Sequence, residues 1–200
     1  MQPFVGATVG ISTLSADARS EITSVEAAVA LYKPDNGPAI NAFAGVHVGR
    51  FFSVQGNYVW NRNGLSLFAS RTAPADGRFY QQSRDSIEHA LIADALVYFR
   101  AHGSGVRPYL STGVGMVRFD SPPASDAVEN GMTAPDGEIR SMDVALRVAV
   151  GIDLAVTRAW SFRYSFSETI TSNPVSGRLQ PRGERLLANF QNLFGLVLGL

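Results

Sequence analysis

The sequence predicts an all-β fold: an eight-stranded antiparallel up-and-down barrel that spans a membrane. Three observations predict it. Apolar and polar residues alternate with period two along eight segments, as side chains do on the two faces of a strand. The apolar face is large and continuous, whereas the opposite face carries charges in mid-strand. The connections between the segments alternate strictly between long and short. A soluble barrel hides its apolar face inside, so this pattern places the apolar face outside, in lipid.

The last third of the chain carries the clearest alternation. Along Met142–Val156 the even-numbered residues up to Leu154 are apolar, and the odd-numbered ones are small or charged. In the next segment, Trp160, Phe162, Tyr164 and Phe166 alternate with serine and arginine. The final strand, Asn189–Leu200, repeats the pattern less cleanly. These three segments predict the last three strands.

Five earlier segments show the same period and complete the eight strands. They are Phe4–Thr13, Ala39–Val48, Phe52–Arg62, Ser86–Arg100 and Arg107–Phe119. In Ser86–Arg100 the predicted inward face is mixed, because apolar Ile92 and Leu96 alternate with charged Asp94 and Arg100.

Seven connections join the strands. The long polar ones are Leu14–Pro38, Asn63–Asp85, Asp120–Arg140 and Ser172–Glu184; the short ones are Gly49–Phe51, Ala101–Gly105 and Thr157–Ala159. Short turns on the periplasmic side and long loops on the extracellular side are the rule for bacterial outer-membrane barrels. Within the first long loop, Ser24–Lys33 is apolar enough for local structure of a type that the sequence leaves open.

Composition excludes several other classes. Hydrophobic residues make up 46% of the 200-residue chain, yet no run of eighteen apolar residues predicts a membrane-spanning helix. The net charge is zero, with 17 basic and 17 acidic residues, so we expect no nucleic-acid partner. Cysteine is absent, which removes thiol catalysis, disulfides and cysteine-based metal sites. We expect residues 1–200 to form a single barrel domain, with Met1 added after removal of an export segment.

Four motifs resemble a known family. FFSVQGNYVW, RPYLSTGVGM, RVAVGIDLAV and WSFRYSF are similar to the strands of eight-stranded outer-membrane barrels of the outer membrane protein A and opacity-protein type. The resemblance covers the whole chain and implies the bacterial outer membrane, contact with the lipid bilayer and lipopolysaccharide, and assembly by the barrel-assembly machinery. We expect a monomer.

Charged residues on the predicted inward face are the candidate site residues. They are Asp94, Arg100, Arg107, Arg147, Asp153 and Arg163. Eight strands enclose only enough space for side chains, so these charges must pair. A tight turn at Thr157–Ala159 sets Asp153 opposite Arg163, a predicted salt bridge. The cluster is either a stabilising polar plug, which we favour, or a gated narrow pore.

No residue is expected to act in catalysis or to bind a cofactor or metal. His47, His89 and His102 are too dispersed in the sequence for a metal site. Asp85, Ser86 and His89 are the closest approach to a catalytic trio. Ser86 and His89, three residues apart in a strand, point to opposite faces.

Arginines of the outer segments permit two interpretations. They are Arg62, Arg71, Arg78, Arg84, Arg178, Arg182 and Arg185. They contact lipopolysaccharide phosphates, or they are ordinary solvated loop charges. For the whole protein, the favoured function is a structural or surface-interaction role in envelope integrity or adhesion. The alternatives are a narrow porin-like channel and, third, an enzyme that modifies lipid A.

Overall fold

Eleven β-strands and one short 3-10 helix form the part of the chain that the computed structural model describes, residues 1–23, 26–72, 77–124 and 126–200. The elements are β1 Gln2–Leu14, β2 Asp17–Ile22, β3 Ala27–Pro34, β4 Gly37–His47, β5 Phe52–Thr72, β6 Gly77–Tyr98, β7 Val106–Ser121, β8 Asp126–Asn130, β9 Ile139–Ala155, β10 Trp160–Ser172, the 3-10 helix Ser176–Arg178 and β11 Leu186–Gly199. Within these ranges no helix is long and apolar enough to cross a membrane.

Eight of the strands close into a ring. The order is β1-β4-β5-β6-β7-β9-β10-β11, and β11 pairs with β1 again. Every neighbouring pair in this ring is antiparallel. The predicted eight-stranded antiparallel barrel is therefore confirmed.

The register makes the ring narrow and its strands strongly tilted. Following directly paired residues once round the ring leads from Phe4 to Leu14, ten residues further along β1. The path runs through Gly45, Gln55, Asp94, Gly113, Arg147, Thr169 and Asn189. An eight-stranded barrel with such an offset has an interior that side chains fill.

The two faces of the strands are those predicted. Large apolar residues stand exposed on the outside, among them Val9, Ile40, Val54, Leu91, Leu110, Val114, Leu146, Val150, Phe162 and Leu196. Alternate residues point inward and are buried, and many are polar, including Thr8, Asn41, Gln55, Asn57, Ser165 and Gln191. The short turns lie at one end of the barrel, and the long connections at the other.

The predicted polar loop Asn63–Asp85 is instead mostly strand. β5 runs on to Thr72 and β6 begins at Gly77, and the two remain paired through Arg71 and Arg78. The reason is an inversion of the hydropathy pattern: in this stretch Leu65, Leu67, Ala69 and Tyr80 point inward and are buried, whereas Arg62, Gln81, Ser83 and Asp85 are exposed outside. The hairpin thus continues the barrel wall beyond the apolar outer band.

The other long connections also carry structure. In Leu14–Pro38, β2 pairs with β3, and β3 pairs with the upper part of β5. The segment whose structure the sequence left open is strand from Ala27 onward, while Ser24 and Val25 lie outside the described residues. In Asp120–Arg140, β8 pairs with β6 through Ser83. The loop Ser172–Glu184 holds the 3-10 helix.

An apolar core fills the barrel at the long-connection end. We call it the apolar cap; it consists of Leu14, Ala30, Tyr32, Leu65, Leu67, Ala69, Tyr80, Phe119, Ala134, Ile139, Val175, Leu179 and Leu187, with Met132 packed against it. Its residues come from the extended strands and from the connections after β8 and β10. The interior therefore changes from polar to apolar along the barrel axis.

Candidate functional site

Asp153 and Arg163 form the ion pair expected from their register. β9 and β10 pair with Asp153 directly opposite Arg163, and with Ala155 opposite Ser161. The guanidinium donates through Nε to Oδ1 at 2.6 Å and through Nη2 to Oδ2 at 2.8 Å. Both residues are buried. The predicted pairing is confirmed, in the two-pronged geometry that makes arginine–carboxylate pairs strong.

Neighbouring side chains complete the hydrogen bonds of this pair. The Tyr98 hydroxyl donates to Oδ2 of Asp153 at 3.0 Å, and Nη1 of Arg163 donates to Oε1 of Gln55 at 2.7 Å. The Arg163 guanidinium also lies 4.7 Å from the ring centroid of Phe43 and 5.0 Å from that of Tyr109. Charge, hydrogen bonds and aromatic faces together fill this level of the interior.

Two further arginines of the predicted set have different positions. Arg107 is buried directly opposite Asp153 on β7, and its guanidinium stacks over the Tyr98 ring at 3.8 Å. Its Nε and Nη2 have no hydrogen-bond partner. Arg100, by contrast, does not face the interior. β6 ends at Tyr98, so the alternation stops there and Arg100 lies exposed in the following turn.

Asp94 and Arg147 form a second buried pair, higher in the barrel. Nη1 of Arg147 lies 3.2 Å from Oδ2 of Asp94, and its Nη2 donates to Oγ of Ser167 at 3.2 Å. Asn57 donates to the same Asp94 oxygen at 3.1 Å. Gly113, opposite both residues, leaves the room, because a Cβ there would collide with the Asp94 carboxylate.

The two pairs belong to one hydrogen-bonded network. Gln55 accepts from Arg163 and donates to Asn57 at 2.6 Å, and Asn57 donates to Asp94. The linking amides lie on the predicted strand Phe52–Arg62, whose sequence did not by itself indicate that they connect the two ion pairs. Their spacing of two residues on β5 gives that indication only with the register of β5 against β6, because Gln55 and Asn57 share the face that meets Asp94 on β6.

Glu88 is an interior carboxylate that the sequence analysis missed. It is buried, and its Oε2 accepts from Nδ2 of Asn189 at 2.5 Å, while its Oε1 has no partner. Asn189 also donates to Asn61 at 3.1 Å. The inward parity of Glu88 with Ala90 and Ile92 could have identified it.

At the short-turn end, two histidines meet. The rings of His47 and His102 lie 4.7 Å apart between centroids, because the register of β4 brings His47 to the turn that carries His102. Burial and then the charge of Arg107 lower the pKa of His102. Among the described residues no cluster of three metal-binding side chains occurs.

The candidate trio around Ser86 is divided by the barrel wall. Ser86 is buried inside, and its hydroxyl donates to the carbonyl of Asn63 at 3.1 Å. His89 faces outward, with Nδ1 2.8 Å from the Tyr58 hydroxyl, and Asp85 pairs with Arg62 at 2.6 Å. The expectation that Ser86 and His89 point to opposite faces is confirmed.

A family model described as an outer membrane protein beta-barrel domain matches residues 2–191. The chain belongs to this outer-membrane β-barrel family.

Solved structures of similar fold agree with the assignment. Neisserial surface protein A is 15% identical with a TM-score of 0.55, and 98% of this barrel aligns with 96% of that chain. OprG from Pseudomonas aeruginosa is 11% identical with a TM-score of 0.58, over 100% of this barrel and 95% of that chain. Ail of Yersinia pestis is 10% identical with a TM-score of 0.50, over the full length of both chains. These likenesses concern the fold. No curated protein sequence is significantly similar to the barrel.

The outer-membrane barrel therefore lies in the bacterial outer membrane, with its short turns in the periplasm and its long connections outside the cell. Its outward apolar band contacts lipid. At the extracellular rim the outer face becomes charged: Arg62 pairs with Asp85, and Asp120 pairs with Arg118 at 2.7 Å and with Arg140 at 3.0 Å.

The seven outer arginines of the barrel do not form one group. Arg84 is buried and donates to backbone carbonyls of the β7–β9 connection, including Pro122 at 2.8 Å and Pro135 at 3.1 Å. It therefore fastens this connection over the barrel mouth and has no surface for a ligand. Arg62 is in its rim ion pair, and Arg182 and Arg185 are exposed. The remaining three, Arg71, Arg78 and Arg178, line one pocket at the extracellular tip.

Proposed function

We propose that this protein is a closed, non-conducting surface-interaction barrel: the membrane-spanning part is an anchor, and the extracellular extension is the working surface. The single observation that carries the proposal is the change of the interior from a connected polar network to an apolar cap. A water path along the axis would have to cross both.

The polar network supports a plug rather than a gate. It contains two buried ion pairs, Asp94–Arg147 and Asp153–Arg163. Separating such a pair in a dry interior costs about 3–5 kcal/mol, because each partner is left as an isolated charge. Opening a pore through this network would require both pairs to separate at once.

The apolar cap supports the same conclusion from the other end. Leu67 and Ala69 of β5 are fully buried there beside Leu179 from the last long connection. Connections that merely covered a channel would have no need of a packed core. This core makes the extracellular strands a rigid platform, which suits recognition of molecules outside the cell.

The remaining features of the protein fit this role. The rim arginines Arg118 and Arg140 are placed to contact lipopolysaccharide, although both are paired with Asp120. The barrel acts as a monomer that the barrel-assembly machinery inserts, closing β11 against β1. Catalysis on lipid A is disfavoured by the separation of Ser86 and His89 across the wall.

Planar-bilayer recording tests the proposal against the channel alternative. The purified protein, refolded and inserted into a bilayer between salt solutions, is expected to give no steady, ohmic conductance. Insertion is verified independently by protease protection of the bilayer-embedded strands in vesicles. Reproducible unitary conductance from verified insertions would overturn the closed barrel and establish a conduit for small solutes.

A further inference from the structure

The extracellular tip contains a pocket lined by three arginines. It has a volume of about 280 Å³ and lies between the β5–β6 hairpin, the segment after β8 and the connection after β10. Its lining residues are Arg71, Arg78, Tyr80, Gly131, Met132, Thr133, Pro135, Arg178 and Gln180. The β5–β6 hairpin contributes two guanidinium groups, those of Arg71 and Arg78, and the connection after β10 contributes that of Arg178, with no carboxylate among these lining residues.

Ion pairing distinguishes the arginines of this pocket from those of the rim. In the described part of the chain, Arg71, Arg78 and Arg178 form no salt bridge, whereas the rim arginines do. Arg71 donates through Nη2 to Gln180 at 3.0 Å, and its buried Nε has no hydrogen-bond partner among the residues that the structure describes. The nearby acid Glu129 is engaged by the backbone N–H of Ala134 at 2.7 Å.

We propose that this pocket binds a sulfate or phosphate ester carried by a carbohydrate. Guanidinium groups donate paired hydrogen bonds to tetrahedral oxyanions, and three of them around one cavity offset the single charge of a sulfate monoester or the two charges of a phosphate monoester. The pocket is smaller than those that take drug-sized ligands, so it fits an anionic group with the sugar ring that bears it. Tyr80 and Met132 provide apolar surface for that ring.

The height of the pocket determines where the ligand comes from. On β5 the outer face changes from apolar to charged at Arg62, and Arg71 follows nine residues later. Nine residues of tilted strand rise about 20 Å. Phosphates at the bilayer surface lie at the level of the rim, so they do not reach the pocket. The ligand is therefore an ester-bearing glycan outside the membrane, which makes the inference rest on the proposed surface-interaction function.

Oligosaccharide binding tests the assignment with matched variants. The full-length protein in lipid nanodiscs is titrated with fluorescent oligosaccharides of equal length: a sulfated heparin fragment, a phosphorylated mannan fragment, and hyaluronan, which carries carboxylates only. The pocket variant Arg71→Gln/Arg78→Gln is compared with Arg182→Gln/Arg185→Gln, which removes the same charge from exposed positions outside the pocket lining. Arg178→Gln provides a third pocket position.

Binding of the sulfated or the phosphorylated fragment by the wild type is expected, and whichever binds identifies the ester. Affinity should fall about tenfold for each pocket arginine removed and by less than twofold in the control variant. The proposal is overturned if neither the sulfated nor the phosphorylated fragment binds. It is also overturned by equal loss in both double variants, which would indicate general attraction, or by equally tight binding of hyaluronan. Oligosaccharide binding does not depend on whether the barrel conducts ions. Failure of this proposal can therefore be distinguished from failure of the proposed closed barrel, which the bilayer recording tests.

Discussion

At the scale of single residues, the Asp153 carboxylate connects side chains from several strands at the short-turn end of the interior. Its carboxylate receives two hydrogen bonds from Arg163 and one from Tyr98, and Arg107 faces it from the neighbouring strand. A carboxylate between two arginines and a hydroxyl is better compensated than one in a simple pair. Gly151, two residues earlier, makes the arrangement possible, because a Cβ there would collide with the ring of Tyr109.

The first prediction follows from this burial. Asp153→Ala is expected to destabilise the folded barrel by about 3–5 kcal/mol, because it strands the guanidinium of Arg163 in a dry interior. The measurement is urea unfolding in lipid vesicles, followed by tryptophan fluorescence. Ser161→Ala, on the same hairpin, is the control and should cost well under about 1 kcal/mol.

A double-mutant cycle makes that prediction specific. Asp153→Ala with Arg163→Ala should cost less than the two single losses added together, because the double variant leaves no unpaired charge from this pair. Strict additivity would show that the two groups do not interact, against the 2.6 Å contact between them.

At the scale of elements, the inversion along β5 explains which parts of the fold were predictable. Up to Trp60 the large apolar residues other than Val59 point outward, and Leu65, Leu67 and Ala69 point inward, although the strand keeps the same alternation of odd-numbered residues inward and even-numbered residues outward. A pattern with one apolar face per strand ends at Arg62, and for this reason the residues that follow were predicted to form a polar loop. Alternation alone located the strands within lipid. The extension also depends on pairing with β3, a contact distant in sequence that a local pattern does not contain.

In the candidate site, too, features set by neighbouring residues were predictable from the sequence, and features set by contacts distant in sequence were not. Parity placed Arg147 and Asp94 on the inside, and the tight turn fixed the Asp153–Arg163 register. The arginine pocket was not predictable, because its three segments meet only through the closed ring and the apolar cap. The prediction that Arg100 faces inward is wrong because the alternation of faces holds only within a strand, and β6 ends at Tyr98.

A second prediction concerns the lipid face of β9 and β10. Val148 and Val150 are both exposed outside, but Val148 is paired directly with Glu168, whereas Val150 is paired with Phe166. Val150→Arg is expected to cost about 2–4 kcal/mol, the usual cost of arginine near the bilayer midplane. Val148→Arg should cost less, since the new guanidinium meets a carboxylate in a low-dielectric setting.

The substitution Glu168→Gln distinguishes an ion pair with the new arginine from a difference in membrane depth between positions 148 and 150. In the Val148→Arg background it should cause a clear further loss of stability, and in the Val150→Arg background little. The same urea titration in vesicles reports both cycles. Equal effects of Glu168→Gln in the two backgrounds would refute the cross-strand pair.

At the scale of the whole molecule, the barrel consists of two parts with opposite solvation. Within the membrane it is apolar outside and polar inside, and beyond the rim it is polar outside and apolar inside. Both parts share β5 and β6, so the extracellular platform is continuous with the anchor and has no hinge there. Rigidity of this kind favours binding by a preformed surface.

The last prediction tests the orientation of the molecule. Because the chain has no cysteine, single introduced thiols can be labelled without background. Arg182→Cys lies in the last long connection and Arg158→Cys in the turn between β9 and β10, and both positions are exposed. On intact cells a membrane-impermeant maleimide should label Arg182→Cys and leave Arg158→Cys unlabelled. After the outer membrane is permeabilised, both should react, which shows that Arg158→Cys is present and accessible. The reverse order of labelling would show that the barrel has the opposite orientation. The arginine pocket would then lie in the periplasm, where no ligand from outside the cell would meet it.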